Sequence, residues 1–182
     1  LKRTGIIAVV AAMFGILLYV WFRFEWQFGV AAIVALAHDI VITVGVFSLL
    51  WYEFDLSVVA AMLTLAGYSI NDTVVVFDRI RENLRRYKRM PLIDLLNLSI
   101  NETLSRTVLT SVTTALAVLA LYIFGTPVIH GFSFAMLFGI IIGTYSSIFV
   151  AAPLLLLFGV KRDWSGGDVP AKAKPKSAPS RV

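Results

Sequence analysis

Residues 56–77 read LSVVAAMLTLAGYSINDTVVVF, a run of 22 residues with one charged side chain, Asp72. A helix needs about 20 predominantly apolar residues to cross a bilayer. The stretch therefore reads as a membrane span, and its aspartate as an ionisable group set inside the membrane. Four blocks of the same kind lie around it, at residues 5–22 and 28–50 before it and 107–124 and 131–158 after it. The last is long enough to tilt or to include an interfacial stretch. Trp21, Trp26, Trp51 and Tyr52 flank these blocks, where amphipathic rings settle at the headgroup level.

Composition agrees. Hydrophobic residues make up 59% of the 182-residue chain and charged residues 15%, with a mean hydropathy of +0.86. Soluble domains carry about 25% charged residues, and one of this length has too little interior to hide so much apolar surface. The expected fold is an all-α membrane protein over residues 1–160, a polytopic bundle of five transmembrane helices with a cytoplasmic interfacial helix. Without cysteine there is no disulfide framework, thiolate nucleophile or cysteine metal site. His38 and His130 lie too far apart in sequence to suggest zinc. A net charge of +5 raises the question of nucleic acid, but the basic residues sit in the gaps between apolar blocks, with no RNA-binding signature around them. They read as orienting charges, and no nucleic-acid partner is expected.

Arg23 lies between the first two blocks, seven basic residues lie from Arg79 to Arg106, and six follow Gly159. The alternate loops hold Glu53, Asp55 and His130 and no Lys or Arg. The positive-inside rule then places the Arg23 loop, the 79–106 segment and the C-terminus in the cytoplasm. Lys2 and Arg3 fall on the outer side, against the rule. With five spans, Leu1 starts outside, so the chain is expected to be the C-terminal part of a longer protein. Residues 79–106 read as a basic and amphipathic linker. A helical extension with Arg79, Arg81, Arg85, Arg86, Lys88 and Arg89 is interrupted at Pro91. An interfacial helix follows, with Leu92, Leu95, Leu96, Ile100 and Leu104 at helical spacing. The tail, 161–182, is rich in Lys, Ala, Pro, Ser and Gly and is expected to be disordered.

The charges inside the spans carry the chemistry. Asp39 sits near the middle of the second block and Asp72 within the third. An intramembrane carboxylate normally faces a bundle interior or water path and finds a partner. One poised between desolvation, which opposes its charge, and a nearby arginine, which favours it, can gain and lose a proton. Arg106 opens the fourth block, followed by Thr107, Thr110, Ser111, Thr113 and Thr114. Arg106, Thr110, Thr113 and Thr114 share one face, with Thr107, Ser111 and Thr114 beside it. Asp72 and Arg106 fall in the same half of the membrane and are expected to pair. Alone, Arg106 reads rather as a side chain snorkelling to headgroups, with the hydroxyls bonding their own helix. His38 and Asp39 are adjacent, about 100° apart around the helix, and cannot both face one partner squarely; two readings stand for Asp39, a hydrogen-bonded structural role or a place in a proton path, and His38, Asn71 and Thr73 join it as candidates for that path or a polar core. Gly131, Ala135, Gly139, Gly143, Ser147 and Ala151 recur every fourth residue, a small-residue stripe for close helix packing. No Gly-rich phosphate loop and no Ser-His-Asp grouping appears, so the chain does not read as an enzyme. No cofactor is expected beyond a coupling ion, H⁺ or alternatively Na⁺.

The run from Gly67 to Asn83, GYSINDTVVVFDRIREN, resembles the signature of the SecF branch of the SecD/SecF protein-export family. Arg23-Phe24-Glu25, Ala37-His38-Asp39, Leu104-Ser105-Arg106-Thr107 with Thr110-Ser111, and Gly143 to Phe149 match it as well. The resemblance covers about Lys2 to Val160. It implies half of a transporter of the RND type in the bacterial inner membrane, with a first span and a periplasmic domain preceding this sequence. It also implies proton-driven help to secretory preproteins, together with SecD and the Sec translocon channel and its accessory subunits. The family's essential carboxylate and arginine fall on Asp72 and Arg106, and a second carboxylate is supplied by SecD. Two other functions compete: an RND-type exporter of small molecules or lipids, against which the Asn71-Asp72-Thr73 and Asp78-Arg79-Ile80-Arg81 contexts speak, and a scaffold that docks partners without transport.

Overall fold

A computed structural model describes residues 25–160, together with positions 3, 7, 10, 11, 14, 15, 18, 19 and 22, each of which is helical. The tail 161–182 and the rest of the expected span 5–22 lie outside the described residues.

The described residues are helical, without strands, and contain four helices long and apolar enough to cross a membrane. Helix α1, Trp26–Leu49, ends where Trp51 takes a positive φ of 56°. The Tyr52 N–H reaches back to the Phe47 carbonyl at 3.1 Å, and the two rings pack at 5.5 Å, so the helix closes with a Schellman-type cap and its usual apolar contact. Helix α2, Leu56–Arg86, starts on Asp55, whose Oδ1 accepts from the Val58 N–H at 3.0 Å and the Ser57 hydroxyl at 2.7 Å. It continues without a break into the basic extension.

Helix α3 departs from expectation. Residues Leu92–Phe124 form one 33-residue helix, so the amphipathic segment after Pro91 is not a separate interfacial helix. Neither Pro nor Gly falls within it, and the backbone ladder has no reason to break. At 1.5 Å per residue it is about 50 Å long, against about 30 Å of hydrocarbon. Its first turns therefore stand beyond the apolar slab, and Leu95 and Leu96 are buried there among Ile80, Leu84 and Leu155. Gly125 and Thr126 make a short connection to α4. A Cβ on Gly125 would collide with the Leu121 carbonyl. Helix α4, Pro127–Ser146, passes through a π-helical turn at Ser147–Ala151 into α5, Ala152–Leu157, and the three pieces form one span. The turn precedes Pro153, which has no N–H and crowds the carbonyl four residues back, so the ladder widens ahead of it.

Helix α4 is central and packs on the other three, while α1 and α3 flank the α2–α4 pair. The apolar interior is not continuous. One cluster, at the basic end, joins Phe28, Ala31 and Ala35 to Phe77, Ile80, Leu95, Ala152 and Leu155. The other, at the acidic end, joins Phe47 to Val58, Ala61, Leu65, Ala135 and Ile140. Between them each of the four spans contributes buried polar residues: Asp39 and Thr43 on α1, Ser69, Asp72 and Thr73 on α2, Thr107 and Ser111 on α3, and Ser146 at the end of α4 with Ser147 opening the π turn.

Candidate ion-coupling site in the polar layer

Asp72 is 8% exposed, and two other helices hold it. Thr107 Oγ1 of α3 donates to Oδ1 at 3.0 Å, and Ser147 Oγ donates to Oδ2 at 3.1 Å. Ser147 is also the first residue of the π turn. A neighbouring cluster joins α2, α3 and α4: Ser111 Oγ and Thr144 Oγ1 lie 2.6 Å apart, and Tyr68 donates to Ser111 at 3.3 Å. Asp39 completes the layer. Its Oδ2 accepts from Ser69 at 2.6 Å, and its Oδ1 lies 3.0 Å from His38 Nδ1.

The close approach of α2 and α4 that makes this possible rests on the small residues. A Cβ on Gly131 would stand 3.2 Å from Val58, one on Gly139 would run into Leu65, and one on Gly143 would stand 3.4 Å from Ser69. Ala135 and Ala151 fill the acidic-end and basic-end cores.

On α3 the buried stripe is Leu95, Leu96, Ser99, Thr103, Thr107 and Ser111. Its last four members are hydroxyls one turn apart, running from the basic end past Asp72, which Thr107 meets, to Ser111. At the basic end Asn83 donates to Ser99 at 3.0 Å and to Glu102 at 2.8 Å, and Arg79 donates to Glu102 at 2.7 Å. The Arg79 guanidinium, with the Asn83 amide, holds the Glu102 carboxyl below the usual carboxylate range.

A site of this kind, a membrane carboxylate gripped by hydroxyls of two neighbouring helices, can be compared with known proteins. The sequence profile described as "Protein export membrane protein SecD/SecF, C-terminal" matches residues 1–161. The chain belongs to the SecD/SecF family. It is 57% identical over 162 residues to the protein translocase subunit SecF of Cereibacter sphaeroides, covering 89% of this chain and 50% of that one. With the protein translocase subunit SecDF of Brucella abortus it shares 53% identity over 169 residues, or 92% of this chain and 22% of that one. A crystal structure of SecDF, described as a translocon-associated membrane protein from Thermus, superposes with a TM-score of 0.84 at 51% identity, covering 87% of this chain and 22% of that one. The chain spans about half the length of the SecF relatives it matches.

Within this SecD/SecF membrane part the expected site residues are only partly brought together. Asp72, Thr73, Thr107 and Ser111 are buried in the polar layer, and so is Ser147, which was expected only to pack. Among the described residues Asp72 and Arg106 form no direct hydrogen bond or ion pair: Asp72 takes hydroxyls, while Arg106, on the exposed face of α3, stays near enough to act on it through its charge. Thr107 turns inward and its neighbour, about 100° around the helix, turns outward. Thr110 is exposed with Arg106 and returns its hydroxyl to the Arg106 and Thr107 carbonyls, while Thr114 bonds the Thr110 carbonyl. Asn71 is exposed and outside the layer. Ser69, Thr144 and Tyr68 were missed by sequence reasoning. Ser69 lies one turn before Asp72 and Thr144 one turn before Ser147, so both were findable as same-face neighbours of singled-out positions.

Proposed function

We propose that this chain is the membrane part of a proton-motive-force-coupled subunit of the Sec protein-export machinery. In this reading it acts with SecD and the Sec translocon to promote translocation of secretory preproteins across the bacterial inner membrane. The carrying observation is Asp72, enclosed mid-bundle and held by one hydroxyl from α3 and one from the span that follows it. Ionised, the carboxylate accepts both hydrogen bonds. Protonated, it becomes a donor at one oxygen, so one hydroxyl must turn away or accept instead, and the hold on α3 or on the π turn changes. Arg106 then acts outward. It lies one residue from the Asp72 contact on an exposed face, suited to a carboxylate of SecD. The coupling ion is H⁺. A carboxylate with two hydroxyls is also oxygen chemistry that a hard cation such as Na⁺ accepts. The basic ends of α2 and α3 and the C-terminus belong in the cytoplasm under the positive-inside rule, and no enzymatic step is assigned to the chain.

The test is preprotein export into energised membrane vesicles with Asp72→Asn in the full-length protein, with and without an uncoupler. The variant should assemble with SecD and lose the uncoupler-sensitive stimulation. Full stimulation in a folded Asp72→Asn complex overturns the reading and favours a scaffold. The small-molecule or lipid exporter reading requires substrate efflux that survives without a preprotein.

A further inference from the structure

The two hydroxyls that hold Asp72 are not equivalent. Each carries a single hydrogen to donate. On α3, Thr103, Thr110, Thr113 and Thr114 return theirs to carbonyls of their own helix. Thr107 does not, and its one acceptor among the described residues is Asp72 Oδ1, at 3.0 Å. Ser147 has two acceptors. Its Oγ lies 3.1 Å from Asp72 Oδ2 on α2, and 3.0 Å from the Thr144 carbonyl one turn back in its own span. Thr107 is 1% exposed and Ser147 0%, so a hydroxyl hydrogen left without an acceptor at either place bears the full cost of desolvation.

The Thr144 carbonyl is not taken by the hydroxyl of the same residue. Thr144 Oγ1 donates to the Ile140 carbonyl at 2.7 Å, so the 2.6 Å contact with Ser111 takes its hydrogen from Ser111, which accepts from Tyr68 at 3.3 Å. This chain runs one way, from α2 through α3 into α4, one turn from Asp72, Thr107 and Ser147 on the same three spans. It fixes Thr144 and leaves the Ser147 hydrogen as the one with a choice.

Among the described residues the charged and titratable groups around Asp72 add no third hydrogen-bond partner. Arg106 on α3 acts through its charge from the exposed face. On α1, Asp39 is taken up by His38 and Ser69. On α2, Tyr68 gives its hydrogen to Ser111, and Asp78 lines a groove with Arg81 and Arg85. On α4, Tyr145 is exposed and stacked on Phe149, and α5 carries no ionisable side chain.

We infer that Ser147 is the group that answers a proton on Asp72, by turning its hydroxyl hydrogen from Asp72 to the Thr144 carbonyl, while Thr107 holds Asp72 in both states. The inference rests on the reading of Asp72 as a group that gains and loses a proton. With Asp72 ionised, Thr107 donates to Oδ1 and Ser147 to Oδ2. An arriving proton forms an O–H bond at Oδ2, and that O–H donates to Ser147 Oγ. The Ser147 hydroxyl rotates, its own O–H bond intact, and donates to the Thr144 carbonyl. Thr107 goes on donating to Oδ1, now the carbonyl oxygen of the neutral acid. Every hydrogen then has an acceptor in both states, whereas a proton at Oδ1 would strand the hydrogen of Thr107. The bond between Asp72 and Ser147 passes from charge-assisted to neutral, which roughly halves its strength. The span gains a bond within itself at the residue that opens the π turn. The proton is thus read by the α4 span and not by α3.

The experiment uses the full-length protein with its partner in lipid vesicles, read by solid-state NMR. Threonine labelled at its carbonyl carbon and tyrosine at its amide nitrogen select the Thr144–Tyr145 peptide unit, the one Thr-Tyr pair in this sequence, assigned by its loss in Tyr145→Phe. Aspartate labelled at its carboxyl carbon reads Asp72, assigned with Asp72→Asn. As pH falls, the Thr144 carbonyl signal should move downfield, as a carbonyl does on gaining a hydrogen bond, with the same midpoint as the Asp72 carboxyl. In Asp72→Asn, whose amide N–H stands where the acid O–H would, it should sit at the downfield position at every pH. The movement should be lost in Ser147→Ala and kept in Thr107→Val. A titrating Asp72 with no movement at Thr144, a movement that survives Ser147→Ala, or one that disappears in Thr107→Val overturns the inference. If a variant does not fold, the titration of the unaltered protein decides alone. An Asp72 that keeps one protonation state at every pH overturns the inference together with the reading beneath it. Full export stimulation in Asp72→Asn, with Thr144 following Asp72, rejects only the export reading.

Discussion

Replacing Gly139 by Ala tests whether the small-residue stripe sets the spacing between α2 and α4. A Cβ at this position would stand 2.5 Å from Leu65 Cδ1 and 2.9 Å from Cγ, with Cδ2 closer still. Ordinary contact begins near 3.4 Å, so Leu65 or the helix must retreat by about 1 Å, and overpacking of that kind costs about 1–3 kcal/mol. Leu65 is wholly buried among Phe47, Ala61, Met62, Ala135 and Ile140 and has nowhere to swing. Three overlapping atoms put the cost at the upper end, about 3 kcal/mol. Alanine returns about 1 kcal/mol of helix propensity over glycine, leaving a net loss of about 2 kcal/mol. Gly131→Ala, at 3.2 Å from Val58, should come out near neutral, and Gly143→Ala, at 3.4 Å from Ser69, should lose nothing. The assay is equilibrium unfolding from mild detergent into a denaturing one, followed by circular dichroism. Leu65→Ala combined with Gly139→Ala should be less destabilised than the sum of the single changes, because the new methyl fills the space vacated. Equal stability of Gly139→Ala and Gly143→Ala, or simple additivity of the double variant, would refute the reasoning.

Asp55→Ala removes the cap of α2 and should cost about 1 kcal/mol. The Ser57 hydroxyl and the Val58 N–H hold the Asp55 carboxyl below its usual value of 3.8. Its contribution is therefore complete above that value and lost as pH falls through the lower, folded-state one. Unfolding measured against pH should show the variant and the parent converging in acid, and a constant gap down to low pH would exclude the cap. Thr107→Val keeps the side-chain shape and removes one donor to Asp72, and Ser147→Ala removes the other. Each should weaken gradient-stimulated export, and the pair together should approach Asp72→Asn. Full stimulation in the double variant would mean that the hydroxyl grip is not used.

The spans, the intramembrane aspartates and the small-residue stripe were legible because they are one-dimensional properties. Lipid demands about 20 apolar residues per crossing whatever the neighbours are, and a charge within such a run stands out. Asp55 before Leu56 is equally local, though on sequence alone it counts only among the residues of a loop without Lys or Arg. The separate helix expected over Pro91–Leu104 fails for a local reason too: the pattern is amphipathic, but nothing after Leu92 stops a helix, so one helix serves both as spacer and as span.

What the sequence could not settle was rotation. Arg106 and Thr107 are adjacent, as are Asn71 and Asp72, and at about 100° per residue one member of each pair turns in and the other out. The choice falls to packing. Gly139 and Gly143 bring α4 against α2, and the π turn ahead of Pro153 resets the helix so that Ser147 meets Asp72. Run length and composition suffice for a membrane bundle with two carboxylates inside it. That Asp72 is held by Thr107 and Ser147, and Asp39 by Ser69 and His38, follows from how the helices pack. Hydrogen-bond partners depend on ångström-scale separations between helices, which no periodicity along one chain encodes.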